Sequence, residues 1–253
     1  MLEELATQAF WIGLAKIIGV NIVLSGDNAV VIALAARSLP PKQQKLAIYW
    51  GAGAAVVLRI ILTIFAVALL TLPWLKIVGS LLLFWIGIKL LIPEEDDADI
   101  NASDNLIAAI KTILIADLVM SLDNVIAVAA AAGGSMTLLI LGLAISIPLV
   151  VFGATLLVTL MERYPVIITI GAALIGMVAG EMLVTDPVAL EWMKGISGLQ
   201  VEGGKPKLHG VNLELTCGAI GAAVVVVWGL WLAKRPEAGA KAAPDEKTQT
   251  GNS

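Results

Sequence analysis

One cysteine and one histidine in the whole chain leave no disulfide framework and no Cys/His zinc cluster. Charge is scarce too: 16 Lys and Arg stand against 20 Asp and Glu, a net charge of −4 in 253 residues. So few basic residues give no case for nucleic-acid binding. No G-x-x-x-x-G-K-[ST] stretch occurs, so any energy for work across a membrane comes from a gradient. HExxH and G-x-S-x-G are missing as well, and no Cys/His pair replaces them, so an intramembrane enzyme is not expected. Cys217 then reads as a small apolar residue of the last helix, and His209 as a polar-loop residue rather than a ligand.

What the chain has in excess is apolar residue: 59% is hydrophobic and the mean hydropathy is +0.94. Soluble domains are about 45–50% apolar even with glycine counted. The chain is therefore read as an integral membrane protein whose first partner is the lipid bilayer. The start, MLEELATQ, is acidic where a cleaved signal needs positive charge. The first apolar segment is read as a membrane helix, although Ala33-Leu34-Ala35 resembles a cleavage site.

A crossing needs about 20 apolar residues. By that measure seven spans are expected, near 9–33, 46–70, 74–92, 107–132, 136–160, 165–185 and 212–233. The expected architecture is all-α. Residues 1–92 form a first three-helix repeat, 93–106 an acidic linker, and 107–185 a second repeat of inverted topology. A loop at 186–211, a seventh helix at 212–233 and a disordered tail at 234–253 complete it. Arg37, Lys42, Lys45, Arg163, Lys234 and Arg235 would share one side, against Lys76, Lys194, Lys205 and Lys207 on the other. That bias puts the amino terminus outside and the carboxyl terminus in the cytoplasm. Trp11, Trp50, Trp74, Trp228 and Trp231 fall near span ends, as interfacial belt residues do.

The repeat is visible in the residues. Asn21–Arg37 and Asp117–Gly133 match at seven of seventeen positions. Four of the seven are Val or Ala, which are common in such helices. The other three, Ser25/Ser121, Asp27/Asp123 and Asn28/Asn124, spell the same S-x-D-N twice. Each repeat holds three spans, an odd number, so the second copy enters the membrane from the opposite side. Inverted repeats of this kind mark transporters whose site lies near the midplane.

A charge at the bilayer centre costs about 2.5–3.5 kcal/mol on insertion scales. Gluing helices together by polar contacts returns only about 0.6–2 kcal/mol, which asparagine alone would supply. On an ideal helix Asn21, Ser25 and Asn28 share a face, as do Asp117, Ser121 and Asn124, while Asp27 and Asp123 point elsewhere. Each Asp then needs a partner from another helix. Two carboxylates, amides and hydroxyls form a hard oxygen set suited to Mg²⁺, Ca²⁺ or Mn²⁺, with Asp117 a third carboxylate and Met120 a softer donor. Gly26 lets the first helix open and free carbonyls. Arg59, mid-span, is either a resting counter-ion of Asp27 displaced by an arriving ion, or a fixed structural partner; its repeat mate is Thr155. Glu181 is read as a proton or metal relay, and Lys16 and Lys89 as snorkelling.

The doubled S-x-D-N resembles the TerC family of integral membrane proteins. WGAGAAVVLRIILT, the acidic linker and GAALIGMVAGEML are most similar to its short YjbE-like branch. The resemblance spans residues 8–233. It implies a multi-pass protein of the bacterial inner membrane, akin to the lysine-exporter superfamily and tied to manganese efflux and homeostasis. It also implies a metal site on Asn21, Ser25, Asp27, Asn28, Asp117, Ser121, Asp123 and Asn124. Asn21 stands where the second copy has Asp117, so the two halves of such a site are chemically unequal.

The leading expectation is a secondary transporter exporting a divalent ion, Mn²⁺ first, with no permanently bound cofactor. The alternative is an accessory membrane protein for metal homeostasis or for metalation of secreted enzymes, docking a partner through Glu94–Asp99 and the 186–211 loop. Export of an organic cation would need an aromatic-lined cavity, which spans one and four lack. The run GAALIGMVAG suits packing either within the fold or between protomers of a homo-oligomer.

Overall fold

The computed structural model describes residues 8–24, 26–65, 72–92, 102–132, 135–202 and 204–234. Its helices are α1 (Gln8–Leu24), α2 (Gly26–Ala36), α3 (Pro41–Ile64), α4 (Leu75–Lys89), α5 (Ala102–Ala132), α6 (Met136–Arg163), α7 (Val166–Thr185), α8 (Pro187–Met193) and α9 (Leu213–Ala233). Three short strands, β1 (Leu199–Glu202), β2 (Lys205–Leu208) and β3 (Val211–Asn212), lie between α8 and α9.

Helix starts follow local chemistry. Pro41 occupies the first turn of α3, where its missing N–H is no loss. The side chains of Ser135 and Asn212 accept the N–H groups of Leu138 and Leu215 and so cap α6 and α9.

Among the described residues, α3, α5, α6, α7 and α9 are long and apolar enough to cross a membrane, and the bent pair α1–α2 makes a sixth. The chain is an all-α multi-pass membrane protein. Among the described residues these helices make five, or six with the bent pair as one broken span, of the seven spans expected. The segment at 74–92 holds α4, with 15 residues. At 1.5 Å per residue it is about 22 Å long, short of a roughly 30 Å hydrocarbon core. Two boundaries also move. α5 begins at Ala102, so the end of the expected 93–106 linker is helix; residues 93–101 and the tail from 235 on lie outside the described residues. The expected 186–211 loop is folded, as α8 and an antiparallel sheet in the order β1-β2-β3. Its turns use Gly198, Gly204 and Gly210, all at φ between 81° and 84°, and GG and HG are the signals that mark them.

Lipid tails are as apolar as leucine, so burying leucine between membrane helices gains little; close van der Waals approach holds them instead. The core is accordingly rich in small residues. Ala33, Ala36, Ala47, Ala116, Ala154 and Ala179 are completely buried, while Trp50, Phe152 and Val227 face outward. The tightest seam joins α7 to α9. A Cβ on Gly180 would lie 2.1 Å from the Cys217 carbonyl oxygen, and one on Gly221 would lie 2.2 Å from the Gly176 oxygen. The GAALIGMVAG run is therefore used inside the fold.

Candidate functional site

The first S-x-D-N copy sits at a break. α1 ends at Leu24, α2 begins at Gly26, and the two axes bend by 50°. The second copy has Leu122 where the first has Gly26, and α5 runs through it unbroken. Glycine costs a helix interior about 1 kcal/mol relative to alanine, so the copies differ where their sequences do. A helix end leaves carbonyls without intrahelical donors. The Leu24 carbonyl receives two side-chain amides, Asn28 Nδ2 at 3.4 Å and Asn124 Nδ2 at 3.2 Å. One oxygen thus draws in both copies of the motif.

Asp27 lies in the first turn of α2, where a carboxylate meets the positive end of the helix dipole. Its Oδ1 accepts the Asn28 N–H at 2.8 Å. Asn28 is buried, and its Oδ1 has no hydrogen-bond partner among the described residues.

Arg59, in the last third of α3, is 3% exposed. Its Nε donates to Ser121 Oγ at 3.0 Å, Nη1 to Asn21 Oδ1 at 2.8 Å and Nη2 to Asp117 Oδ1 at 2.6 Å. Ser121 Oγ donates a hydrogen bond in turn to Asp117 Oδ2 at 3.2 Å. Among the described residues, the short ion pair of Arg59 is with Asp117 and not with Asp27, the partner one reading expects. Asp117 and Ser121 stand one turn apart on α5, so the hydroxyl can orient the carboxylate towards α3. Asp27 remains within the electrostatic reach of both Arg59 and Asp117.

Of the expected site residues, Asn21, Asp117 and Ser121 meet around Arg59, and Asn28 and Asn124 meet at Leu24. Ser25 and the side chain of Asp123 lie outside the described residues. Among the described residues no three His, Cys, Asp or Glu side chains converge, so the oxygen set is mostly amide and hydroxyl. A cavity of about 170 Å³ opens beside the break, lined by Asn21, Gly26, Ala29, Ser146 and Gly153 among others. Glu181, read from the sequence as a relay, packs against Gly218 on the α7–α9 seam. Lys16 is exposed, and Lys89 sits 5.5 Å from the centre of the Trp85 ring. His209 packs over Gly198 in the sheet.

One buried carboxylate has no place in the sequence reading. Asp186 is completely buried. Its Oδ1 caps α8 through the Val188 N–H at 2.8 Å, and its Oδ2 accepts the Lys76 and Ile77 N–H groups at 3.1 and 3.3 Å. It joins the starts of α4 and α8. The Asp-Pro pair is an ordinary helix-start signal; the reach to α4 is tertiary.

The family model for the integral membrane protein TerC family matches residues 6–237. The Bacillus subtilis (strain 168) membrane protein YjbE is 45% identical over 177 residues, 70% of this chain and 81% of that protein. A second membrane protein of the same organism, YceF, is 27% identical over 190 residues, 71% of this chain and 74% of that one. No solved structure matches. With its helices laid out as membrane spans and the family pattern covering nearly its whole length, the chain belongs to the TerC family of integral membrane proteins.

Proposed function

We propose that this protein is a secondary transporter that exports a divalent metal ion, with Mn²⁺ the first candidate, through the place where the two S-x-D-N copies meet. The observation that carries the reading is Asn28 Oδ1, buried and without a donor among the described residues. An unsatisfied buried oxygen costs about 1–3 kcal/mol. A hard cation supplies the partner it lacks, and Asp27, next in the chain, supplies charge. Asn21, Asp117, Ser121 and Asn124 offer further oxygens within the same pair of copies, with Ser25 and Asp123 completing the motif. Mn²⁺, Mg²⁺ and Ca²⁺ all accept such ligands. The cavity beside the break supports access from the Asn21 side.

The test is Mn²⁺ flux into everted vesicles or proteoliposomes, with wild type, Asp27→Asn and Asp123→Asn compared and Mg²⁺ and Ca²⁺ as competitors. Flux in wild type that both variants lose supports the reading. A correctly inserted wild type without flux overturns it. A second reading, an accessory protein that docks a partner, draws on the folded 187–212 segment, which carries exposed Trp192, Ile196 and Val211. Under that reading both Asp variants keep the cellular function and removal of the segment abolishes it.

A further inference from the structure

The cluster between the motif copies already holds a cation. The Arg59 guanidinium takes Asn21 from the first copy and Asp117 and Ser121 from the second. Asn21 and Asp117 are the two positions that the internal repeat places in register, so one side chain bridges repeat-equivalent sites on α1 and α5. Its position in the other repeat is Thr155, which carries no charge and bonds the Val151 carbonyl of its own helix. The protein therefore brings one built-in cation to this site. Arg59 stands on α3, which carries neither motif, so its side chain can withdraw without unwinding α1 or α5. The oxygens it occupies, Asn21 Oδ1 and Asp117 Oδ1, belong to the set a divalent ion would use.

We propose that Arg59 is a tethered stand-in for the cargo. This rests on the reading that the site carries a divalent cation. With no ion bound, the guanidinium offsets the motif carboxylates and ties the two copies together, which lets the empty protein change its facing without carrying uncompensated charge through the membrane. An arriving ion takes Asn21 and Asp117 from it. When the ion leaves, Arg59 returns. Two consequences separate this role from that of a static strut. Removing the guanidinium removes a competitor, so the ion binds more tightly. It also strands the empty protein, so ion-for-ion exchange continues while net export stops.

The experiment uses the full chain reconstituted in liposomes, as wild type, Arg59→Met and Arg59→Lys, with radioactive Mn²⁺ as the probe. Equilibrium binding, net flux from a loaded to an empty compartment, and exchange with Mn²⁺ on both sides are each measured. Arg59→Met is expected to bind Mn²⁺ about ten-fold more tightly, as when a site is freed from a competing occupant. It keeps exchange and loses net flux, while Arg59→Lys, which keeps the charge, retains net flux at a lower rate. Should the methionine variant not fold, Arg59→Gln, which keeps an amide donor for Asp117, is read by the same criteria. Equal affinity and equal net flux in wild type and neutral variants overturn the proposal while leaving transport intact. So does a folded neutral variant that loses binding and exchange together. A wild type that neither binds nor moves Mn²⁺ overturns the transport reading itself.

Discussion

Arg59 Nη2 and Asp117 Oδ1 lie 2.6 Å apart on neighbouring helices, both side chains all but closed to the surroundings. A pair this deep is held as much by what surrounds it as by its own attraction. Ser121 fixes the carboxylate and Asn21 takes a further guanidinium N–H.

Breaking one half of that pair leaves the other charge buried without its opposite charge at contact distance. Asp117→Ala is expected to destabilise the protein by about 3–5 kcal/mol. The double change Arg59→Met with Asp117→Leu removes both charges and should recover most of that loss. Thermal unfolding in detergent reads both. An Asp117→Ala protein that melts with wild type would show that the pair is not holding α3 to α5.

Asn28 separates stability from function. Asn28→Leu removes an oxygen that has no donor among the described residues and gives up one long bond, from Nδ2 to Leu24 O at 3.4 Å. The variant should melt within about 1 kcal/mol of wild type, or above it, yet lose Mn²⁺ transport. Retained transport in the folded leucine variant counts against any ion contact at this oxygen.

Gly26 is the residue that distinguishes the broken copy from the continuous one. Nothing lies within 4 Å of where its Cβ would be, so a side chain meets no clash. Gly26→Leu copies the second repeat and should favour a continuous helix by roughly 0.5–1 kcal/mol. The expected result is an equally stable protein whose flux falls about ten-fold, the equivalent of 1.4 kcal/mol in a barrier. Unchanged flux would mean that the break plays no part in moving the ion.

Asp186 is expected to be structural. Asp186→Ala forfeits a helix cap and leaves the Lys76 and Ile77 N–H groups without that partner, at a cost of about 2–4 kcal/mol. The adjoining Trp74 takes the left-handed conformation at φ 69° and stacks edge-on against Trp192, with ring centres 5.1 Å apart. Limited proteolysis between 187 and 212 should accelerate in the variant, with metal binding unchanged. Unaltered cleavage and melting would remove the tie between α4 and α8.

The α7–α9 seam gives a contrast between two glycines. Gly180→Leu forces a side chain into the Cys217 carbonyl, an overpacking expected to cost about 1–3 kcal/mol or more. Gly19→Ala meets nothing within 4 Å and should be neutral or gain up to about 1 kcal/mol. Maleimide labelling of Cys217, half-buried beside the seam, reports separation directly. No rise in labelling in Gly180→Leu would contradict the close approach.

The sequence announces the site more clearly than the frame around it. A repeated S-x-D-N in apolar surroundings points to a shared polar centre, because each buried charge has to find a partner off its own helix. Gly26 opposite Leu122 foretells where one copy opens. The partner of Arg59 is harder to read, since Asp27 and Asp117 both fall at suitable depths and the choice depends on how α3 packs against α5. Asp186 hides for a similar reason: its local role is written in Asp-Pro, its distant one only in the position of α4. The small sheet escaped notice because strands of two to four residues leave almost no period to detect, and only their glycine turns stand out. The shortness of α4 was masked by composition, because the segment stays apolar well beyond the ends of its helix.

At the α7–α9 seam the two backbones touch directly at Gly176, Gly180 and Gly221, and α4 packs on the same two helices. Side chains can change rotamer and let helices slide; bare backbone cannot. These three helices and the folded segment beyond them therefore behave as one piece of rigid masonry. The motif-bearing helices α1, α2 and α5 reach that block through softer boundaries, along α2 with α7 and α4 with α5. On the proposed transport reading, the movement that carries the ion has its slip surface there, and the last helix acts as ballast for one side of it.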